Sequence, residues 1–401
     1  MFHRIIRTFH PVGQGAFYSE ENIKNGERST KINAVFDCGS LKGGAWLSDY
    51  IKNNFHNIKP DILFLSHYDI DHYNGIKYLK PTYIVLPFLT GWEKAIVWLD
   101  YAVELGMNNT NFIDTINSLS PSSKLIKIRP ISNGNINLDS PIELNITYDQ
   151  GMEVEEEIES GRQIKLKNFP DWIYIPINPK LDLKLIDDLK KEFNEKGIDQ
   201  NKILNCDYDY FVEHKEEIGK IYKTKKPKNN YSMIVYSGPT SHPVSTVLKE
   251  CKSTIIKNVF IQNVLSFRNT FFYTDFLGCL YLGDIKLNMK IFNKSKQSET
   301  ILLETIYDLL PKSIFNNLGA IQVPHHGGKD NFHETIFKYC KDSDLPWDFI
   351  PRYLLYFISV GKENKYGHPD GDILRKLMLS PHLLSVITDD ASTKLIQEGI
   401  Y

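Results

Sequence analysis

The sequence predicts an α/β fold with mixed strands. Two observations carry this. Short β-type apolar runs alternate with helix-spaced runs along almost the whole chain. Polar clusters recur just where the apolar runs end, and strand ends are where α/β proteins usually build sites.

Taken in order, Ala34–Phe36 reads as a buried strand meeting a tight turn at Asp37-Cys38-Gly39-Ser40, and Trp46, Leu47, Tyr50 and Ile51 follow at helical spacing. Ile62–Leu65 and Ile84–Phe88 are short apolar strands, and Trp92, Ile96, Leu99 and Val103 mark a helix face. After an acidic run (Glu153, Glu155, Glu156, Glu157, Glu159), Asn178-Pro179 has the form of an N-cap with proline at the first helical position. Leu185, Ile186, Leu189 and Phe193 form one stripe amid many charges, so 150–225 reads as an insertion or small lobe. Strands resume at Met233–Tyr236, Cys279–Leu282, Ile321–Val323 and Tyr353–Val360. Helix-type spacing recurs at Ile301, Leu302, Thr305, Ile306 and Leu309, and Ile373, Leu377 and Leu384 lead towards the end of the chain.

At 401 residues the chain has room for one large domain or two ordinary ones, and a hydrophobic share of 42% suffices for a core. A net charge of -2 gives no global basic field that would advertise nucleic acid. Five dispersed cysteines without a CxxC pair suit reduced thiols in a cytoplasmic protein. The opening MFHRIIRTFHPVG lacks the apolar core of a signal peptide. No run approaches the roughly 18 uncharged apolar residues of a membrane span, so no membrane association is expected.

The chemistry concentrates at strand ends. In HYDIDH, the period of an extended chain puts His67, Asp69 and Asp71 on one side, and His72 turns inward if a helix begins near Asn74-Gly75. The carboxylates would repel one another without a cation, and the next basic residue is Lys77. A solvated polar loop is the plain alternative. Asp284, after Gly283, is a single carboxylate suited to a cleft. His325 and His326 are adjacent imidazoles at another strand end, followed by glycines that permit close backbone approach. His368, in the loop from Gly361 to Pro369, reads as either a site residue or a turn residue.

HxDxDH, a strand-terminal Gly-Asp and a late His-His-Gly in that order resemble the metallo-β-lactamase fold, with the soluble hydrolase domain of the competence protein ComEC as the nearest resemblance. Val12-Gly13-Gln14-Gly15 resembles its VGQG turn, Phe36-Asp37-Cys38-Gly39 its IDxG, Asn230-Tyr231-Ser232 its NxS, and Asn364 with Tyr366-Gly367-His368-Pro369 its NxYGHP. Pro11 and Ala16 stand where the family's DxVGQGD has aspartate, Gly328 where serine follows HHG, and no membrane segments accompany the domain. A role in DNA uptake is therefore not expected.

The resemblance implies an αββα sandwich of two mixed β-sheets over one domain, 1–401, with insertions near 150–225 and 238–270. It implies two divalent metal ions, manganese or zinc with magnesium a further choice. His67 and Asp69 would hold the first ion; Asp71, His72 and either His325 or His326 the second; and Asp284 would bridge. The family's third-segment histidine has no equivalent near Ser232, and His214 and His242 lie poorly for it, so the first site is expected to be incomplete and oxygen-rich. Asp71, Asp284 and His368 are the expected catalytic residues, His368 as a general acid or a phosphate holder. Asn230, Ser232, Lys226, Lys228 and His368 are expected on the substrate, and Asp37 as the orienter of a ligand histidine.

The expected activity is a metal-dependent phosphodiesterase or nuclease acting on DNA or RNA. The lysines between Lys220 and Lys228 would attract a polyanion if they flank the cleft, although such a run is ordinarily a solvated segment. The alternatives are hydrolysis of a small phosphodiester (a cyclic nucleotide), of a lactone or other ester, or a non-catalytic metal-binding protein whose insertions bind a protein partner.

Overall fold

The computed structural model describes residues 3–24, 30–55, 58–106, 112–131, 141–144, 157–180, 183–225, 231–240, 245–249, 255–256, 276–293, 298–337, 354–380 and 382–401. Period-2 alternation decides its architecture. Along the strand Ile62–Phe64 and the adjoining Leu65, Ile62 and Phe64 enter one core while Leu63 and Leu65 enter another. On the strand Leu355–Ser359, Leu355 and Phe357 face one core, Tyr356 and Ile358 another. Strands apolar on both faces need cover on both faces. The solution is two mixed sheets packed face to face with helices outside each.

The first sheet runs in the order Ser245–Lys249, Leu395–Ile400, His3–Phe9, Phe17–Lys24, Thr30–Cys38, Ile62–Phe64, Tyr83–Pro87, Lys124–Ile128, Glu157–Ile158. It is antiparallel as far as Thr30–Cys38 and parallel from there on. The second runs Ile255–Ile256, Leu383–Ile387, Leu355–Ser359, Leu318–Gln322, Gly278–Tyr281, Ile234–Pro239, Phe169–Ile177, Ile164–Leu166, Ile142–Leu144. Its centre is parallel from Leu383–Ile387 to Gly278–Tyr281. Between the sheets the core is rich in aromatics: Phe36 stacks on Tyr281 at 3.7 Å between centroids and on Phe64 at 5.2 Å. Helices Gly44–Asn54, Trp92–Asp100, Leu183–Glu195 and Lys215–Lys225 cover the first sheet's outer face. Leu302–Leu309 and Gly371–Leu379 cover the second's.

The segment expected as one insertion or small lobe divides in two. Glu157–Ile158 extends the first sheet, and Ile164–Leu166 and Phe169–Ile177 are strands of the second, so only 183–225 is helical. Asn178 is not an N-cap. Its backbone bridges to Pro130, and its amide nitrogen donates to the carbonyls of Ile128 and Phe88, pinning the two sheets together where they adjoin. Those buried carbonyls compete for a side chain that would otherwise cap a helix. Of 238–270, the described parts are Gly238 to Thr240 and the edge strands Ser245–Lys249 and Ile255–Ile256; the rest lies outside the described residues. No helix among the described residues is long and apolar enough to cross a membrane. Cys38, Cys206 and Cys279 are buried free thiols; Cys251 and Cys340 lie outside the described residues.

Candidate metal centre

The centre forms where five strand ends meet. Ile62–Phe64 delivers Ser66 and His67, Gly278–Tyr281 delivers Asp284, and Leu318–Gln322 delivers His325 and His326. Thr30–Cys38 carries Asp37 as its next-to-last residue, and the strand Ile234–Pro239 is entered through Ser232. The helix that supplies Asp71 and His72 starts earlier than expected, at Ile70, with Asp69 at its N-cap. The extended-chain reading of 67, 69 and 71 therefore holds only as far as Asp69. Asp69 is a favoured N-cap residue, yet its carboxylate makes no capping bond and lies instead 3.7 Å from His67 Nε2. Asp71, on the first turn, faces His326, with 3.6 Å between Oδ2 and Nε2.

Close backbone contact makes this convergence feasible. A Cβ on Gly39 would fall 2.2 Å from the Asp71 carbonyl, so the Asp37–Ser40 turn can lie against the ligand helix only with glycine there. His325 and His326 have φ of 49° and 55°, left-handed conformations that cost L-residues about 1–2 kcal/mol each. Two successive ones fan the imidazoles in different directions from one turn. Strain of this kind collects at functional sites.

Each imidazole is fixed through Nδ1. His72 Nδ1 donates to Asp37 Oδ2 at 2.8 Å. His326 Nδ1 donates to the Ser359 carbonyl at 2.7 Å, an acceptor only. The Ser66 hydroxyl gives its proton to Asp37, so it accepts from His67 Nδ1 at 2.9 Å. Asn331 donates its amide to the Asp284 carbonyl and turns its oxygen to His325 Nδ1 at 2.9 Å. All four rings thus present Nε2 to one centre, the tautomer a metal ligand needs.

The Nε2 atoms of His67, His72 and His326 and Asp284 Oδ1 are buried without hydrogen-bond partners among the described residues. They stand close, but not at bonding distance. Asp284 Oδ2 is 3.8 Å from His67 Nε2 and 3.8 Å from His325 Nε2, and Oδ1 is 3.5 Å from His72 Nε2. Donor atoms around one tetrahedral ion, each about 2.1 Å from it, stand roughly 3.4 Å apart. The geometry therefore fits two overlapping ligand sets. His67, His72 and Asp284 form one group whose donor atoms all lie within 4.8 Å of one another, and Asp71, His72 and His326 a second, while Asp69 adjoins through His67 and His325 through Asp284. The two adjacent histidines face different carboxylates, His325 that of Asp284 and His326 that of Asp71. His214 lies elsewhere, stacked on Tyr210 at 4.2 Å.

The charges interlock. Burial opposes ionisation of Asp284, but His72, His325, His326 and His67 hold its carboxyl well below the usual range. Burial alone would lower His72; Asp284 and Asp37 override it and lift the imidazole to about 10. Asp71 is held low against its burial by His326 and His72. Among the described residues exposure falls across the centre: side-chain exposure is 24% at His325, 15% at Asp71 and 11% at Asp69, against 1% or less at His67 and His72.

Among the other expected residues, His368 borders the more exposed side, with its ring 4.9 Å from that of His325. Burial, then His325 and His326, pull it down to about 4, so it is neutral at pH 7 rather than a standing acid. Ser232 is buried, accepts from the Asp284 backbone N–H at 3.1 Å and lies 3.4 Å from His67 Nδ1, so it touches both candidate ligands. Lys226, Lys228 and Asn230 lie outside the described residues. Ser66, Asn331 and Ser359 escaped the sequence reading because isolated polar residues at strand ends carry no spacing signal. Only Ser66, next to His67, had a positional hint.

No family model matches the chain, and no curated protein matches it.

Proposed function

We propose that this chain is a two-metal hydrolase of phosphodiesters with the metallo-β-lactamase architecture, similar to the ComEC hydrolase domain. The single observation behind this reading is the cluster of buried, unpartnered His67, His72 and His326 Nε2 atoms and Asp284 Oδ1, with each of those rings tied through its other nitrogen. Unpaired buried polar atoms are costly, and four converging on one point call for a cation.

Each donor group offers two imidazoles and a carboxylate. That mixed donor set suits manganese or zinc better than magnesium, which prefers oxygen and retained water. When bound, such ions make water nucleophilic near neutral pH and stabilise charge on the attacked group. Asp69, Asp71 and Asp284 offset three of the four positive charges of two divalent ions. The remaining positive charge favours an anionic phosphodiester over a neutral lactone or ester. On the more exposed side, neutral His368 can accept a proton or donate an N–H to a phosphate oxygen.

The helical lobe gives a polymer substrate little pull. Lys225 pairs with Glu192 and Lys220 with Glu216, so these lysines lie among acidic neighbours. The decisive assay sets metal-stripped protein with manganese, zinc or magnesium against single-stranded DNA, duplex DNA, RNA, a cyclic nucleotide and a neutral ester. Metal-dependent phosphodiester cleavage, lost in Asp284→Asn, is expected. Full cleavage by Asp284→Asn, or cleavage of the neutral ester alone, would overturn the reading.

A further inference from the structure

Three rings form a row that leads out from the centre. The ring of His325 lies 4.9 Å from that of His368, edge to face, and the ring of His368 lies 6.3 Å from that of Tyr366, with 18° between their planes. Tyr366 ends the row in solvent. It is 52% exposed, and no other Phe, Trp or Tyr among the described residues is exposed. A single apolar side chain on a surface is ordinary. The place of this one, next to the histidine that borders the candidate metal centre, is what asks for a reason.

The loop that carries it is braced from within. Asn364 Nδ2 donates to the carbonyls of Gly361 at 2.9 Å and His368 at 2.6 Å, and Asn364 Oδ1 accepts from the His368 backbone N–H at 3.0 Å. These bonds close the turn on which Tyr366 sits, so a ligand that meets its ring has little loop left to order. Lys362 of the same loop is taken by Asp390 at 2.7 Å. Lys365 is exposed and forms no ion pair among the described residues; its ammonium stands 5.5 Å from the centroid of the Tyr366 ring. The outer end of the row thus offers an aromatic face with a positive charge beside it.

We infer that Tyr366 is a specificity residue: its ring is a stacking platform for the base joined to the phosphate at the centre, so the substrate is a nucleotide rather than a phosphodiester without a base. This rests on the phosphodiesterase reading. The order of the row is the order of a nucleotide, with the phosphate by His325 and His368 and the base beyond, at Tyr366. Stacking on an aromatic face tolerates any base, because every base has a π-face. The platform therefore selects for a base without reading which one it is.

The test is calorimetric binding of adenosine monophosphate and of ribose 5-phosphate, which differ only in the base, to the full chain loaded with Mn²⁺. Wild type, Tyr366→Leu and Tyr366→Trp are compared. Wild type should hold the nucleotide about tenfold to a hundredfold tighter than the sugar phosphate. In Tyr366→Leu the two affinities should come within about threefold of each other, with that for ribose 5-phosphate unchanged. Tyr366→Trp should keep the preference. Equal affinities in wild type, or a preference that survives in Tyr366→Leu, would overturn the inference and leave the hydrolase reading standing. Equal weakening of both probes in Tyr366→Leu would overturn it in favour of a brace for His368. A wild type that takes up no Mn²⁺ would remove the two-metal reading and the inference with it.

Discussion

Asp37 and His72 lie 35 residues apart, yet their side chains meet at 2.8 Å between Oδ2 and Nδ1. The same carboxylate accepts from the Ser66 backbone N–H and hydroxyl, each at 2.7 Å. One residue thereby sets the ring of His72 directly and that of His67 through Ser66. Asp37 also has φ 50°, a conformation that Asn and Asp tolerate best after glycine. Asp37→Asn should therefore keep the turn while removing the charge that holds His72 Nδ1–H. Metal affinity should fall about tenfold to a hundredfold with the fold retained. Calorimetric titration beside a far-ultraviolet circular dichroism spectrum would check both. Unchanged affinity would show that the backbone alone orients His72.

The two adjacent histidines face different carboxylates. His325 Nε2 faces Asp284 Oδ2, whereas His326 Nε2 faces Asp71 Oδ2. His325→Ala and His326→Ala should each lower bound metal from two ions per chain to one. The two variants should lose different ions, distinguishable by Co²⁺ absorption spectra. Identical spectra for both variants would mean that the pair serves a single site.

The strand ends that build this centre were legible in the sequence because the strands are buried on both faces. Apolar runs such as Ile62–Leu65 stop abruptly at His67, and the stop is as visible as the run. The grouping of the candidate donors was not legible. It depends on two left-handed residues, His325 and His326, and on a helix that starts at Ile70. Neither leaves a mark in residue spacing. Asn178 misled for a related reason, since its capping chemistry is the same chemistry that pins two strands.

A second polar group was invisible because it is set by strand register. Arg7 and Glu20 are directly opposed on neighbouring strands, and both side chains are fully buried. Arg7 Nε donates to Glu20 at 2.7 Å and Nη2 to the Leu277 carbonyl at 3.0 Å, while Ser237 and Tyr281 donate to Glu20. The network thus ties the first sheet to the second. Glu20→Ala would leave a guanidinium buried without its carboxylate, a loss of about 3–5 kcal/mol. Glu398→Ala, which removes the partner of the partly exposed Arg4, should cost under about 1 kcal/mol. Urea unfolding of the metal-free proteins would rank the two, and similar midpoints would sink the argument.

His10 should make stability depend on pH. Its ring is stacked on Phe17 at 4.2 Å, with Nδ1 3.0 Å from the Tyr50 hydroxyl and Nε2 2.8 Å from the Ser19 hydroxyl. Burial, helped by Lys394, holds its pKa well below the ordinary 6.5. The unfolded chain takes up a proton near 6.5 and the folded chain does not, so falling pH favours unfolding. The slope approaches about 1.4 kcal/mol per pH unit below that value. Between about pH 7.5 and 5.5 the contribution should reach about 1.4 kcal/mol. His72 has the opposite sign, since its raised pKa yields stability that is present at low pH and lost as pH climbs towards about 10. The His10 share must therefore be taken as a difference. Urea midpoints of metal-free wild type and His10→Gln, measured at both pH values, supply it. The variant should be weaker at the higher pH but lose less on acidification, because glutamine cannot titrate. Parallel losses in the two proteins would place the proton uptake elsewhere in the chain.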